Sequence, residues 1–255
     1  MTDRPADSAG VPFEGRAFHP NPGAGDDGSA PPRLIEAIRR FRARELGIAD
    51  VVEALHSERL LVPLVAERGD EGVGAFGQTV DKTQELSIVT VAGPDGRPVL
   101  PAFTSADAMR AWDPEARPIP IEAARIALAV ASEGTPLIVV DPKSPTEVVI
   151  RRPAFRALAI GEPWVPCFED EAVLDAFLAS AEDEPLVRAI QLAPGDPDAR
   201  LAGPELLVQL SLDAGLDQAG LDALLARLQN RWAADTTIAT RVDSIALRVE
   251  RLSAP

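Results

Sequence analysis

A few side chains in this chain are of types and spacings that could do chemistry. Asp81-Lys82-Thr83 sets an acid, an amine and a hydroxyl side by side, which suits proton transfer or a surface ion pair. A lysine acts as a general base only where burial depresses its pKa, and the polar stretch around Lys82 favours the ion pair. Thr104 and Ser105 offer hydroxyls, but a nucleophile needs a base beside it. His56 is distant in sequence, and His19 sits in the Pro-rich His19-Pro20-Asn21-Pro22 as a solvated bystander. The chain contains no Gly-x-Ser-x-Gly elbow. Cys167 lies between Pro166 and Phe168. The acids Glu169, Asp170 and Glu171 are expected to raise its pKa, so it reads as a small buried residue rather than a reactive thiolate.

Two histidines and one cysteine are poor material for zinc, which leaves only carboxylate binding of a hard cation. The spacing Gly72-x-Gly74-x-x-Gly77 satisfies the dinucleotide glycine pattern in bare form. The next residues, Gln78 to Thr83, offer no amphipathic helix to receive a pyrophosphate, so the stretch is read as an exposed loop. Neither a catalytic set nor a cofactor is expected from these residues.

The elements that must position them are legible from pattern. Residues 1–32 are rich in Gly and Pro without apolar period and are expected to form a disordered tail. Leu34, Ile38 and Phe41 recur at helical spacing, with Gly47 placed to end that helix, and Ile48 to Leu55 gives a second. Leu60 to Val65 reads as a buried strand. Leu86 to Val91, the turn Gly93-Pro94-Asp95-Gly96 and the return Pro98 to Phe103 read as a hairpin. Thr104 is expected to cap a short helix ending at Trp112, with Asp107 completing a capping box. Phe103 would then fill core and Trp112 would pack the helix down.

Beyond Trp112, Pro118-Ile119-Pro120 reads as a breaker, Ile121 to Ser132 as a helix stopped by Gly134, and Pro136 to Val140 and Glu147 to Ile150 as strands. Arg151-Arg152 is a dense basic pair, and Pro153 is placed to start a helix. A helix around Val173 to Leu178 precedes a composition break at Glu182-Asp183-Glu184-Pro185. After the break the order is strand, strand, helix with Leu221 to Trp232, and strand. The expected organisation is a tail over 1–32, a mixed or antiparallel α+β unit over 33–181, and a smaller ββαβ unit, half of a ferredoxin-like arrangement, over 182–255.

Forty acidic and twenty-five basic residues give a net charge of -15, which would repel a phosphate backbone and argues against nucleic acid as partner. No stretch approaches the ~18 apolar residues of a membrane helix. The N-terminus lacks the basic-then-apolar layout of a signal peptide, so a cytoplasmic location is expected.

Asp81-Lys82-Thr83, Val89-Thr90-Val91, Gly93-Pro94-Asp95-Gly96 and Leu100-Pro101-Ala102-Phe103-Thr104-Ser105 together resemble the SseB family of enhanced serine sensitivity proteins. Arg152-Pro153 and Pro163-Trp164 resemble its long actinobacterial form, which implies N-terminal and C-terminal SseB domains. The resemblance carries no agreed catalytic residues. The expected function is a non-enzymatic protein-interaction or regulatory module. In it Asp81, Lys82 and Thr83, with Phe103, Thr104, Ser105 and Trp112, border the surface for an unidentified protein partner. Sheet edges in the C-terminal unit leave room for a homodimer. One alternative, implied by the family's name, is a small-metabolite sensor, with an amino acid as the ligand that name suggests. Another is an enzyme of unrecognised type using Asp81, Lys82 and Thr83 near Ser105.

Overall fold

The computed structural model describes residues 25–64, 90–134 and 137–252. His19, the Gly72 to Gly77 loop, Asp81-Lys82-Thr83 and most of the strand expected at Leu86 to Val91 lie outside the described residues. The described residues form an α+β fold with three sheets.

Helix α1 (Pro32–Arg42) opens on a proline and buries Leu34, Ala37, Ile38 and Phe41. Gly47 does not end it. The chain instead reverses at Arg44, which takes a left-handed φ of 61°. Ion pairing with Asp198 at 2.7 Å and donation to Pro197 O at 2.6 Å hold Arg44 there. Those partners lie 154 and 153 residues away, outside the reach of a local pattern. Gly47 opens α2 (Ile48–Leu55), its N–H donating to the Asp50 carboxylate at 2.9 Å.

Strand β1 (Arg59–Leu64) comes next, then the short β2 (Val91–Ala92) and β3 (Pro98–Ala102), joined as an antiparallel hairpin whose turn places Gly96 at φ 82°. After α3 (Ala106–Trp112) comes β4 (Arg117–Glu122), which contains the proline pair expected to break structure. It pairs antiparallel with β1, Pro120 opposite Leu61 and Pro118 opposite Pro63. Leu61 exchanges backbone bonds of 2.7 and 2.8 Å with Phe103, so its polar groups face away from β4. Pro63, Pro118 and Pro120 share that orientation, and no ladder bond is lost to the missing N–H groups.

Helix α4 (Ala123–Glu133) ends at Gly134, which has the left-handed φ of 72° that its position in sequence suggested. Strands β5 (Leu137–Val140) and β6 (Val148–Arg151) then complete a mixed sheet of order β2-β3-β5-β6, with β3 and β5 parallel. Helix α5 (Arg152–Ile160) leaves directly from β6. Leu100, Ile138, Val140 and Ile150 face the main core under α1, α2, α4 and α5. The alternate residues Val99, Leu137, Val139 and Val149 pack with Leu201 on the other face. Both faces are covered, so β5 and β6 are apolar without alternation.

Helix α6 (Glu171–Ser180) was expected to close this unit. It packs instead in the second core, where Val173 and Phe177 meet Leu224, Leu228 and Trp232. The rings of Phe177 and Trp232 lie edge to face at 5.1 Å, and Trp232 Nε1 donates to Ser180 Oγ at 2.8 Å. The partners are β7 (Val187–Pro194), β8 (Leu206–Leu212), α7 (Gln218–Ala234), the unforeseen α8 (Thr236–Arg241) and β9 (Ile245–Arg251). They form a sheet of order β7-β8-β9, antiparallel then parallel. Among the described residues no helix is long and apolar enough to cross a membrane.

The end of the expected tail is docked. Arg59 pairs with the Asp26 carboxylate and donates to Ser29 O at 2.5 Å and Thr104 O at 2.6 Å. Gly28 O accepts from Ala106 N at 2.9 Å.

Candidate functional site

In the Phe103 to Trp112 segment, Phe103, Thr104 and Met109 are buried, Ser105 and Trp112 are half-buried, and Asp107, Arg110 and Ala111 are exposed. Phe103 is fully buried, and its ring meets the half-buried Trp112 at 5.3 Å. Thr104 is also buried and does not cap α3. Its backbone N–H and its hydroxyl donate to the two Asp141 oxygens, each at 2.7 Å. Asp141 also accepts from Thr146 Oγ1 at 2.7 Å. The cap of α3 is Ser105, whose Oγ accepts from Ala108 N at 3.1 Å. The register slips by one because a buried carboxylate takes the Thr104 hydroxyl. His56 stands at the C-terminus of α2, with Nε2 3.9 Å from Glu53 and no hydrogen bond among the described residues.

The chemistry-bearing groups that the fold does bring together lie where the four-stranded sheet meets the three-stranded one. Arg151, the last residue of β6, is buried and reaches across the joint. Its Nη2 donates to Asp196 Oδ2 at 2.7 Å and to Gly203 O at 2.9 Å, and its Nη1 donates to Asp243 Oδ2 at 3.1 Å. Arg97, from the β2–β3 turn, donates to both oxygens of Asp243 at 2.9 and 3.1 Å. Asp196 also accepts the Leu201 N–H at 2.8 Å, which fixes the loop carrying it. A buried charge costs several kcal/mol to desolvate, so such a cluster holds only when each member is paired and hydrogen-bonded.

Glu205, just before β8, completes the cluster. It is 6% exposed, and Oε2 accepts the Asp243 N–H at 2.6 Å. Burial pushes its carboxyl up to about 7, the Asp243 N–H opposes the rise, and the Asp243 carboxylate adds to it. Cys167 is fully buried beside it. Burial, and then the Glu205 carboxyl, raise the Cys167 thiol far above its usual range. The raised thiol expected from sequence is present, but the acids at 169–171 are not its cause.

A cavity of about 190 Å³ opens onto this cluster. Helix α1 contributes Phe41, α2 contributes Ile48 and Val52, and β6 with α5 contributes Ile150 and Ala154. Trp164 and Phe168, from the connection between α5 and α6, line it as well. Arg151, Asp196 and Glu205 are the buried polar part of its wall, while Arg44 and Glu169 stand exposed at its edge. Apolar walls with a few fixed polar groups are the usual make-up of a small-molecule site.

Of these residues, sequence pattern drew attention to Arg151 as half of a basic pair and to Cys167, and passed over Asp196, Glu205 and Asp243. One signal was present. Arg151 continues the apolar run Val148-Val149-Ile150 within a strand, and a charge at such a position requires a buried partner.

Fold and site define an α+β protein whose mixed, helix-covered sheet is tied by buried ion pairs to a second, three-stranded sheet. Residues 34–157 match the family model of the SseB protein N-terminal domain, which supports membership of the SseB family for this segment. The matched stretch runs from α1 into α5 and holds Arg97 and Arg151, while Asp196, Glu205 and Asp243 lie beyond it. Comparison with curated proteins and with solved structures gave no match.

Proposed function

We propose that the protein is a non-enzymatic regulatory module that takes up a small, largely apolar ligand in the cavity beside the joint of its four-stranded and three-stranded sheets. The single observation supporting this is the placement of the cavity: Phe41, Trp164 and Phe168 line it, and it borders the ion pairs that join the sheets. A ligand there would touch both sides of the joint and so bias how firmly they hold together. The non-enzymatic part of the reading is supported by the state of the nucleophile-type groups. Cys167 is buried with a raised pKa, and the Thr104 hydroxyl is committed to Asp141. Ligand uptake takes precedence over docking at the Phe103 to Trp112 segment, because Phe103 and Thr104 are out of reach of a partner.

The test is thermal unfolding of the wild type and of Ile48→Trp against a panel of small aromatic and aliphatic compounds. Ile48 is half-buried at the start of α2, where it lines the cavity and packs against the main core, so a larger side chain there takes up cavity space. Saturable stabilisation of the wild type, reaching ~2.7 kcal/mol at a hundredfold excess over Kd and lost in Ile48→Trp, supports the proposal. A panel that leaves the wild type unshifted overturns it.

A further inference from the structure

Resting on the ligand-binding reading above, we infer that the cavity selects ligands bearing a cation, most simply an ammonium on an apolar body, which docks against Glu205. The joint holds the guanidiniums of the buried Arg151 and the half-buried Arg97, the buried carboxyls of Asp196, Asp243 and Glu205, and Asp95 at the surface, so it has more acids than bases. Both guanidiniums are spent on Asp196 and Asp243. Glu205 is therefore the carboxyl without a cation. Its Oε2 takes the Asp243 N–H, the Cys167 thiol is its other hydrogen-bond partner, and Arg151 acts on it only through its charge, without an ion pair.

An acid in this position reaches charge balance in one of two ways, by keeping a proton or by meeting a cation from outside the chain. The cavity offers the second route, since Glu205 forms part of its wall. Its edge agrees in sign. Arg44 pairs with Asp198 at 2.7 Å, a carboxylate that Arg42 also approaches at 3.9 Å, while Glu169 is exposed. An anionic ligand would bring a further negative charge beside Asp196, Asp243 and Glu205, whose arginines among the described residues are already paired. Phe41, Trp164 and Phe168 are aromatic members of the wall, and Phe41 already carries a cation, the Arg42 guanidinium, over its ring at 5.2 Å.

The uptake is coupled to a proton. Glu205 holds one with a pKa of about 7 in the free protein and must release it to pair with an ammonium. The groups facing it are Arg151 from β6, Cys167 from the α5–α6 connection, and Asp243 with Ser244 ahead of β9. Of these, Cys167 has a thiol raised well beyond the pH range concerned.

The experiment uses the full chain and two probes of one shape, 2-phenylethylamine and 2-phenylethanol, titrated calorimetrically into wild type, Glu205→Gln and Ile48→Trp. Gln keeps an acceptor for the Asp243 N–H, so the joint is preserved. The expected result is that the alcohol binds wild type and Glu205→Gln alike. The amine binds wild type at least tenfold more tightly than Glu205→Gln, and about tenfold more weakly at pH 6 than at pH 8. Equal binding of amine and alcohol at every pH, with both lost in Ile48→Trp, overturns the inference and leaves the cavity reading standing. Binding of neither probe to the wild type overturns both. The wild-type pH profile decides the matter even if Glu205→Gln proves poorly folded.

Discussion

Arg151 Nη2 and Asp196 Oδ2 lie 2.7 Å apart with side chains only 6% and 2% exposed, one on a strand of the four-stranded sheet and the other in a loop of the three-stranded one. The pair stitches the last residue of β6 to the loop between β7 and β8. Removing one partner strands the other. Arg151→Met is expected to lower stability by about 3–5 kcal/mol, because Asp196 is then buried without a cation and Asp243 keeps only Arg97. Arg151→Lys should recover only part of the loss, since a single ammonium does not span Asp196, Gly203 O and Asp243 as the guanidinium fork does. Urea unfolding of the three proteins checks the order.

Glu205 makes stability depend on pH. Its carboxyl has an ordinary value of 4.5 and stands at about 7 in the folded chain. Between those values the folded protein keeps a proton that the unfolded chain has released. The contribution is therefore complete below the unfolded value and is lost as pH rises through the folded one, at roughly 1 kcal/mol per pH unit. In Glu205→Gln this slope is expected to vanish. Urea midpoints at about pH 5, 6, 7 and 8 measure it, and an unchanged slope in the variant would assign the pH dependence to other groups.

The start of α3 gives a test of register. Ser105→Asp keeps a capping oxygen and should stay within about 0.5 kcal/mol of wild type. Thr104→Asp forces a second carboxylate against the buried Asp141 and should cost more than about 3 kcal/mol. Were Thr104 the cap, thermal unfolding would give the reverse order.

Gly195 is tight for a different reason. A Cβ there would collide with Pro204 O, on the backbone next to Glu205. Its N–H donates to Glu205 O at 2.9 Å. Gly195→Ala is expected to cost about 2–3 kcal/mol through overpacking. Gly134→Ala, where the Cβ meets open space, should cost about 1 kcal/mol from its φ of 72° alone. Parallel denaturation curves of the two variants separate crowding from strain.

Sequence by itself determined the elements whose causes are local. Leu34, Ile38 and Phe41 make a helix by period, Gly134 stops one by adopting a left-handed φ, and Gly93 to Gly96 turns a hairpin. The α+β class comes from their order. Tertiary structure decided whatever depends on partners distant in the chain. Arg44, rather than Gly47, ends α1 because Asp198 and Pro197 hold it. Pro118 and Pro120 sit within a strand because their polar sides face away from β1. Ser105 caps in place of Thr104 because Asp141 claims the threonine, and α6 joins the second core because Trp232 and Phe177 meet there. The candidate site belongs wholly to this second kind. Arg97, Arg151, Cys167, Asp196, Glu205 and Asp243 come from six separate stretches and carry no shared spacing. The physical reason is that desolvation and charge pairing act through space, over a few ångströms, without regard to position along the chain.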